Sequence, residues 1–127
     1  MKNFNSIKKN KDFQTVYQQG KSYANRLLVM YVMRKQDLNT EDDGKKQDRH
    51  KTRIGISVSK KVGNSVVRHH ITRLIRESFR LHEDMIETDL DIVVVARAAA
   101  KEQDYKSIES AYLHLCGLHN ILKKESK

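Results

Sequence analysis

The chain of 127 residues has no proline, no tryptophan, one cysteine and five glycines. Without proline, its turns must rest on glycine, asparagine and aspartate. Cys116 alone cannot form an internal disulfide, which excludes a disulfide-framed secreted fold and fits a reducing, cytoplasmic setting. No apolar run approaches the roughly 18 residues of a membrane span, and no lipidation motif is present. The opening Met1-Lys2-Asn3-Phe4-Asn5 lacks the apolar core of a signal peptide, so no membrane partner is expected. There is also no Walker loop, nucleophile elbow or HExxH motif, and no catalytic residue is expected in the protein. His114 and His119 would point more than about 90° apart on a helix, so with Cys116 they cannot share one tetrahedral metal ion.

What the chain has in excess is positive charge. Lysine and arginine number 25 against 16 aspartates and glutamates, a net charge of +9, which calls for a polyanionic partner and points to nucleic acid. A chain of this length forms a single domain, here spanning 1–127, that buries roughly two-thirds of its unfolded surface.

The densest positive charge lies between Lys60 and Arg80. From Ser65 onward Val67, Ile71, Leu74, Ile75, Ser78 and Phe79 recur at three- and four-residue steps, which predicts an amphipathic helix. At about 100° per residue, His69, Arg73, Arg76 and Arg80 share an arc of roughly 60° on the far side, with Arg68 beside them one turn earlier. Gly63 and Asn64 supply the turn, Asn64 or Ser65 caps the first free amides, and Lys60 and Lys61 precede the positive end of the helix. A solubilising face mixes signs; this arc is nearly all cationic, with Glu77 at its edge, and arginine forks match phosphate geometry. The pattern predicts a phosphate-binding helix.

Elsewhere, Asn10 is a candidate cap for a short helix over 11–19, with Phe13, Val16 and Tyr17 on one stripe and Gly20 as its terminator. A strand is expected over 26–33, with Val29, Tyr31 and Met33 on one face. Another is expected over 52–59, with Ile54, Ile56 and Val58 opposite the small residues Gly55, Ser57 and Ser59. The polar stretch 35–51 between them is expected to be a mobile loop, whose Glu41-Asp42-Asp43 run lacks the rigid support a metal site needs. Residues 90–96 read as a strand covered on both faces. Residues 105–123 read as a last helix, with a core stripe of Ile108, Ala111, Tyr112, Leu115 and Leu122 joined by Cys116 and His119. This order gives an α+β fold, a single sheet with helices packed on it. Phe13, Tyr17 and Tyr31 are candidates to stack on unpaired bases in a cleft between the first helix and the sheet.

The spacing Lys60-Lys61-x-Gly63-Asn64-x-Val66-x-Arg68-x-x-x-x-Arg73-x-x-Arg76-Glu77-x-x-Arg80 resembles the signature of the bacterial ribonuclease P protein component. Further likeness in Phe13-Gln14-x-Val16-Tyr17, Ala24-Asn25-Arg26, Arg53 to Ser59 and Asp91 to Arg97 extends it over nearly the whole chain. The chain departs from the family pattern at His69 and His70, within a usual Arg-Asn-Arg, and at Thr72, where a basic residue is usual. The resemblance implies the ribonuclease P protein-like (ribosomal S5 domain 2-like) order α-β-β-β-α-β-α. It adds a short early strand and a left-handed crossover carrying the basic helix, against the usual hand.

It also implies a cytoplasmic subunit of the ribonucleoprotein that removes 5′ leaders from precursor tRNA. The active site and its Mg2+ would lie in the catalytic RNA, and no metal site or stable protein partner is expected for the protein. By the same likeness Lys60, Lys61, Asn64, Arg68, His69, Arg73, Arg76 and Arg80 face the catalytic RNA. Phe13, Tyr17, Asn25, Arg26, Tyr31 and Ser57 line the cleft for the leader. The residues by themselves leave open a ribosomal or ribosome-assembly protein, which would bind RNA without any leader preference. A protein-only nuclease would need converging carboxylates that this spacing does not supply.

Overall fold

The computed structural model describes residues 6–35 and 51–123. Helix α1 (Asn10–Gln19) is followed by strands β1 (Lys21–Ala24), β2 (Leu28–Arg34) and β3 (Arg53–Ser57). Helix α2 (Ser65–His82), strand β4 (Leu90–Ala96) and helix α3 (Tyr105–Leu118) come next, with short 3-10 turns at Glu83–Met85 and Ala98–Ala100. The strands form one mixed sheet in the order β1-β2-β4-β3. β2 pairs antiparallel with both β1 and β4, whereas β3 lies parallel to β4, so α2 lies in the crossover between parallel neighbours. The α+β fold with a single sheet agrees with the sequence. The loop expected at 35–51, with its acidic run 41–43, lies outside the described residues except for Lys35 and Lys51 at its neck.

Alternation along the strands splits the core in two. On one face Leu28, Met30, Val32, Ile54, Ile92 and Val94 pack with Ile71, Ile75 and Phe79 of α2 and with Ile108, Tyr112 and Leu115 of α3. On the other, Ile7, Val16, Met33 and Val93 form a smaller cluster, flanked by half-buried Phe13, Tyr17, Tyr31 and Val95. Each fully buried large apolar side chain contributes about 1.5–3 kcal/mol, so the α2–α3 side carries most of the stability. The α1 side can leave aromatic surface open at little cost. Helix α2 starts as its sequence predicts, with the Asn64 side chain accepting the Val67 N–H at 3.0 Å. Ser78, inside its buried stripe, satisfies its hydroxyl on the Leu74 carbonyl at 3.1 Å.

Several boundaries differ from the sequence reading. Asn10 lies inside α1, and Lys9 holds the cap position without a side-chain bond. Gly20 is extended, with φ −84°, not left-handed. Glycine is required there by crowding, since a Cβ would sit 2.7 Å from the Val16 carbonyl oxygen and 3.0 Å from that of Val32. The strand expected at 26–33 begins at Leu28, and the exposed strand β1 precedes it. The last helix stops at Leu118 instead of 123, because Asn120 turns left-handed at φ 60°. Leu122 bridges to Ile86 instead of extending the helical stripe.

Candidate RNA interface

The cations of α2 stand where the helical period puts them. His69, Arg73, Arg76 and Arg80 are exposed along one side, and Lys60 and Lys61 are exposed in the turn that leads into the helix. Arg68 is half-buried, and its Nε donates to the Gly63 carbonyl at 3.2 Å, so it also braces the turn before the helix. Arg80 is clasped by Glu77, with Nε to Oε1 at 3.1 Å and Nη2 to Oε2 at 2.5 Å. That hydrogen bonding pushes the Arg80 pKa up and holds the Glu77 carboxyl below its ordinary range. A phosphate approaching Arg80 must therefore compete with a carboxylate. Asn64 is committed to the cap. Thr72, at a position usually basic, donates its hydroxyl to the Arg68 carbonyl at 2.9 Å.

The second surface lies on the opposite face of the sheet. Strand register aligns Tyr31, Val93 and Gly55 in one row and Val29, Val95 and Ser57 in the next. Helix α1 crosses the first row. Phe13 lies against Gly55, and Tyr17 stands edge-on to Tyr31 with ring centroids 4.9 Å apart. Phe13 and Tyr17 are themselves 6.4 Å apart, tilted at 45°. Val29, Val95 and Ser57 remain half-buried beside this aromatic wall. The result is an apolar shelf edged by rings, a surface that suits unstacked bases.

Asn25 and Arg26 do not stand beside α1. The Asn25 Oδ1 accepts the N–H groups of Leu27 and Leu28 at 3.2 and 3.0 Å, closing the β1–β2 turn. Its Nδ2 donates to the Ala111 carbonyl at 3.0 Å and lies 3.1 Å from His114 Nδ1, both on α3. Arg26 lines a groove against the same helix. The structure thus brings Phe13, Tyr17, Tyr31 and Ser57 together and places Asn25 and Arg26 against α3.

An ion network at the foot of α1 was missed in the sequence. Asp91, buried on β4, takes a two-pronged contact from Arg53 on β3, at 2.9 and 2.6 Å. Arg53 also reaches Asp12 of α1 at 3.5 Å. Lys35 Nζ lies 3.6 Å from Asp91 and donates to the Lys51 carbonyl at 2.6 Å, joining the two ends of the 36–50 segment. Burial pushes the Lys35 pKa down, against the pull of Asp91, while the Asp91 hydrogen bond pushes Arg53 up. The available signal was a lone aspartate inside the apolar run Leu90–Ala96. Among the described residues no group of three or more His, Cys, Asp or Glu is placed to hold a metal ion.

A family model described as Ribonuclease P matches residues 1–119. The ribonuclease P protein component of Lachnoclostridium phytofermentans is 51% identical over 117 residues, covering 92% of this chain and 90% of its own. That of Alkaliphilus metalliredigens is 50% identical over 115 residues, covering 91% and 93%. The Staphylococcus aureus RNase P protein structure matches with a TM-score of 0.79 at 36% identity, over 95% of this chain and 100% of the other. The Thermotoga maritima RNase P protein, at 24% identity and a TM-score of 0.72 over 88% and 94%, adds support for the fold alone. A match over nearly the full length, with relatives at half identity, leaves one conclusion: the chain belongs to the ribonuclease P protein component family, the protein subunit of the endoribonuclease that matures the 5′ end of tRNA.

Proposed function

We propose that the cationic side of α2, led in by Lys60 and Lys61, binds the catalytic RNA, while the shelf beside α1 holds the single-stranded leader of precursor tRNA. The observation that carries this reading is the separation of two chemistries onto opposite faces of one sheet. One surface offers guanidinium and ammonium groups, which suits the phosphates of a folded RNA. The other offers Phe13, Tyr17 and Tyr31 over an apolar floor, which suits splayed bases. Mg2+ in this reading serves the active site of the RNA, and the protein holds RNA and not the ion. No helix among the described residues is long and apolar enough to cross a membrane. The chain works as one unit in the cytoplasm, with the catalytic RNA and precursor tRNA as its partners.

The test is the salt dependence of binding to the catalytic RNA. Arg73→Ala and Arg76→Ala should each flatten the slope of log affinity against log salt by about 0.7–0.9 per lost phosphate contact. Melting of the Arg73 variant should stay as in the parent, because that residue is exposed. Arg68→Ala should flatten the slope and also lower melting, since it loses the bond to Gly63. Unchanged slopes in the Arg73 and Arg76 variants would overturn the assignment of α2.

A further inference from the structure

A groove of about 470 Å³ runs between the β1–β2 turn and α3, apart from both surfaces described above. Arg26, Lys106, His114, Ser107, Ser110 and Asp104 line it. Its turn side is rigid. Besides its four side-chain contacts, Asn25 donates its own N–H to the Leu28 carbonyl at 2.9 Å, and its carbonyl accepts from Arg97 Nη1 at 2.9 Å. Arg26 is therefore an exposed cation on a braced turn.

The same bonds assign the histidine. Because Asn25 Oδ1 accepts from Leu27 and Leu28, its Nδ2 must be the donor toward His114 Nδ1. Nδ1 is then the acceptor, which leaves Nε2, on the side away from Asn25, as the ring N–H. The groove is thus lined by the His114 ring, two serine hydroxyls and the cations Arg26 and Lys106. Asp104 is the one carboxylate in the lining, and its Oδ1 already accepts the Ser107 N–H at 2.9 Å as the cap of α3. That bond also uses a leading amide of the helix, so the site is built from side chains. Lys106 lies near Asp104 and, outside the lining, near Glu109, and its charge helps hold both carboxyls below their ordinary range. A groove rich in donors, with excess positive charge and a single engaged carboxylate, matches an RNA backbone.

We propose that this groove is a third RNA-binding site, in which Arg26 and Lys106 contact phosphates and His114 Nε2 donates to a phosphate or ribose hydroxyl. The proposal rests on the chain acting within a ribonucleoprotein. The backbone belongs either to the catalytic RNA or to the tRNA, and the experiment separates the two.

In the reconstituted holoenzyme, Ser110→Cys would carry an iron chelate that generates hydroxyl radicals, with His70→Cys on exposed α2 as a reference tether. Cys116 is buried and its thiol is pushed up to about 12, chiefly by that burial, so the introduced thiol takes the label. Clustered cuts from position 110 are expected in one RNA, and labelling the catalytic RNA or the tRNA in turn identifies it. Combined Arg26→Ala and Lys106→Ala should flatten the salt slope for that RNA by about 1.5, with melting unchanged. Cuts from position 70 without any from position 110, or an unchanged slope, would overturn the groove while leaving the α2 assignment standing. Absence of cuts from both tethers would overturn the two together.

Discussion

Phe13 occupies the space that a side chain at residue 55 would need: a Cβ built on Gly55 would lie 2.7 Å from Phe13 Cζ and 3.1 Å from Ile7 Cβ. The missing side chain on β3 lets α1 settle onto the sheet and sets the height of the aromatic wall. Gly55→Ala should push Phe13 off this seat at a cost of about 1–3 kcal/mol, the usual price of overpacking. Urea unfolding would measure the loss. Binding of precursor tRNA should fall with it, and parent-like stability would show that α1 can shift freely.

Removing a ring from the shelf should matter only when a leader is present. Tyr17→Ala and Tyr31→Ala should each weaken holoenzyme binding of precursor tRNA by about 1–3 kcal/mol per lost stack. Affinity for mature tRNA, which has no leader, should hardly move. Equal losses on both ligands would identify the rings as packing groups.

The buried carboxylate of Asp91 holds two cations, Arg53 and Lys35, at the foot of α1. Asp91→Asn should cost about 3 kcal/mol, because it removes the buried carboxylate that both cations share, leaving Arg53 with the longer contact to Asp12 while Lys35 stays buried. Adding Arg53→Met should recover part of that loss in a double-mutant cycle. A purely additive result would mean the pair is not coupled.

His119 confers a pH dependence of known sign. Its Nε2 lies 2.8 Å from the buried carbonyl of Met30, and its ring meets Tyr23 edge-on at 4.7 Å. Burial holds its pKa below the ordinary 6.5, with Lys21 and Arg34 acting the same way and the Met30 bond opposing. The unfolded chain therefore takes up this proton more readily than the folded one. The contribution of His119 is complete above about pH 6.5 and is lost as pH falls through the folded value. Between about pH 7.5 and 5.5 the parent should lose stability relative to His119→Gln, whose amide can still donate to Met30. Parallel stability curves would show that His119 does not titrate in this way.

What the sequence determined by itself was local. Helix α2, its Asn64 cap and its cationic arc depend on contacts three and four residues apart, so the helical period shows them directly. The apolar run Leu90–Ala96 likewise announced a strand buried on both faces, and the spacing from Lys60 to Arg80 carried the family. Tertiary structure decided the rest, through partners distant in the chain. β1 has no buried residue and exists because β2 offers its edge. Asn25 is fixed by α3, which supplies the carbonyl of Ala111 from 86 residues on. Asp91 found Arg53 38 residues away. Gly55 is needed because Phe13, more than forty residues earlier, arrives against it. A periodic pattern records which face of an element is apolar; only the packed fold determines which element meets that face.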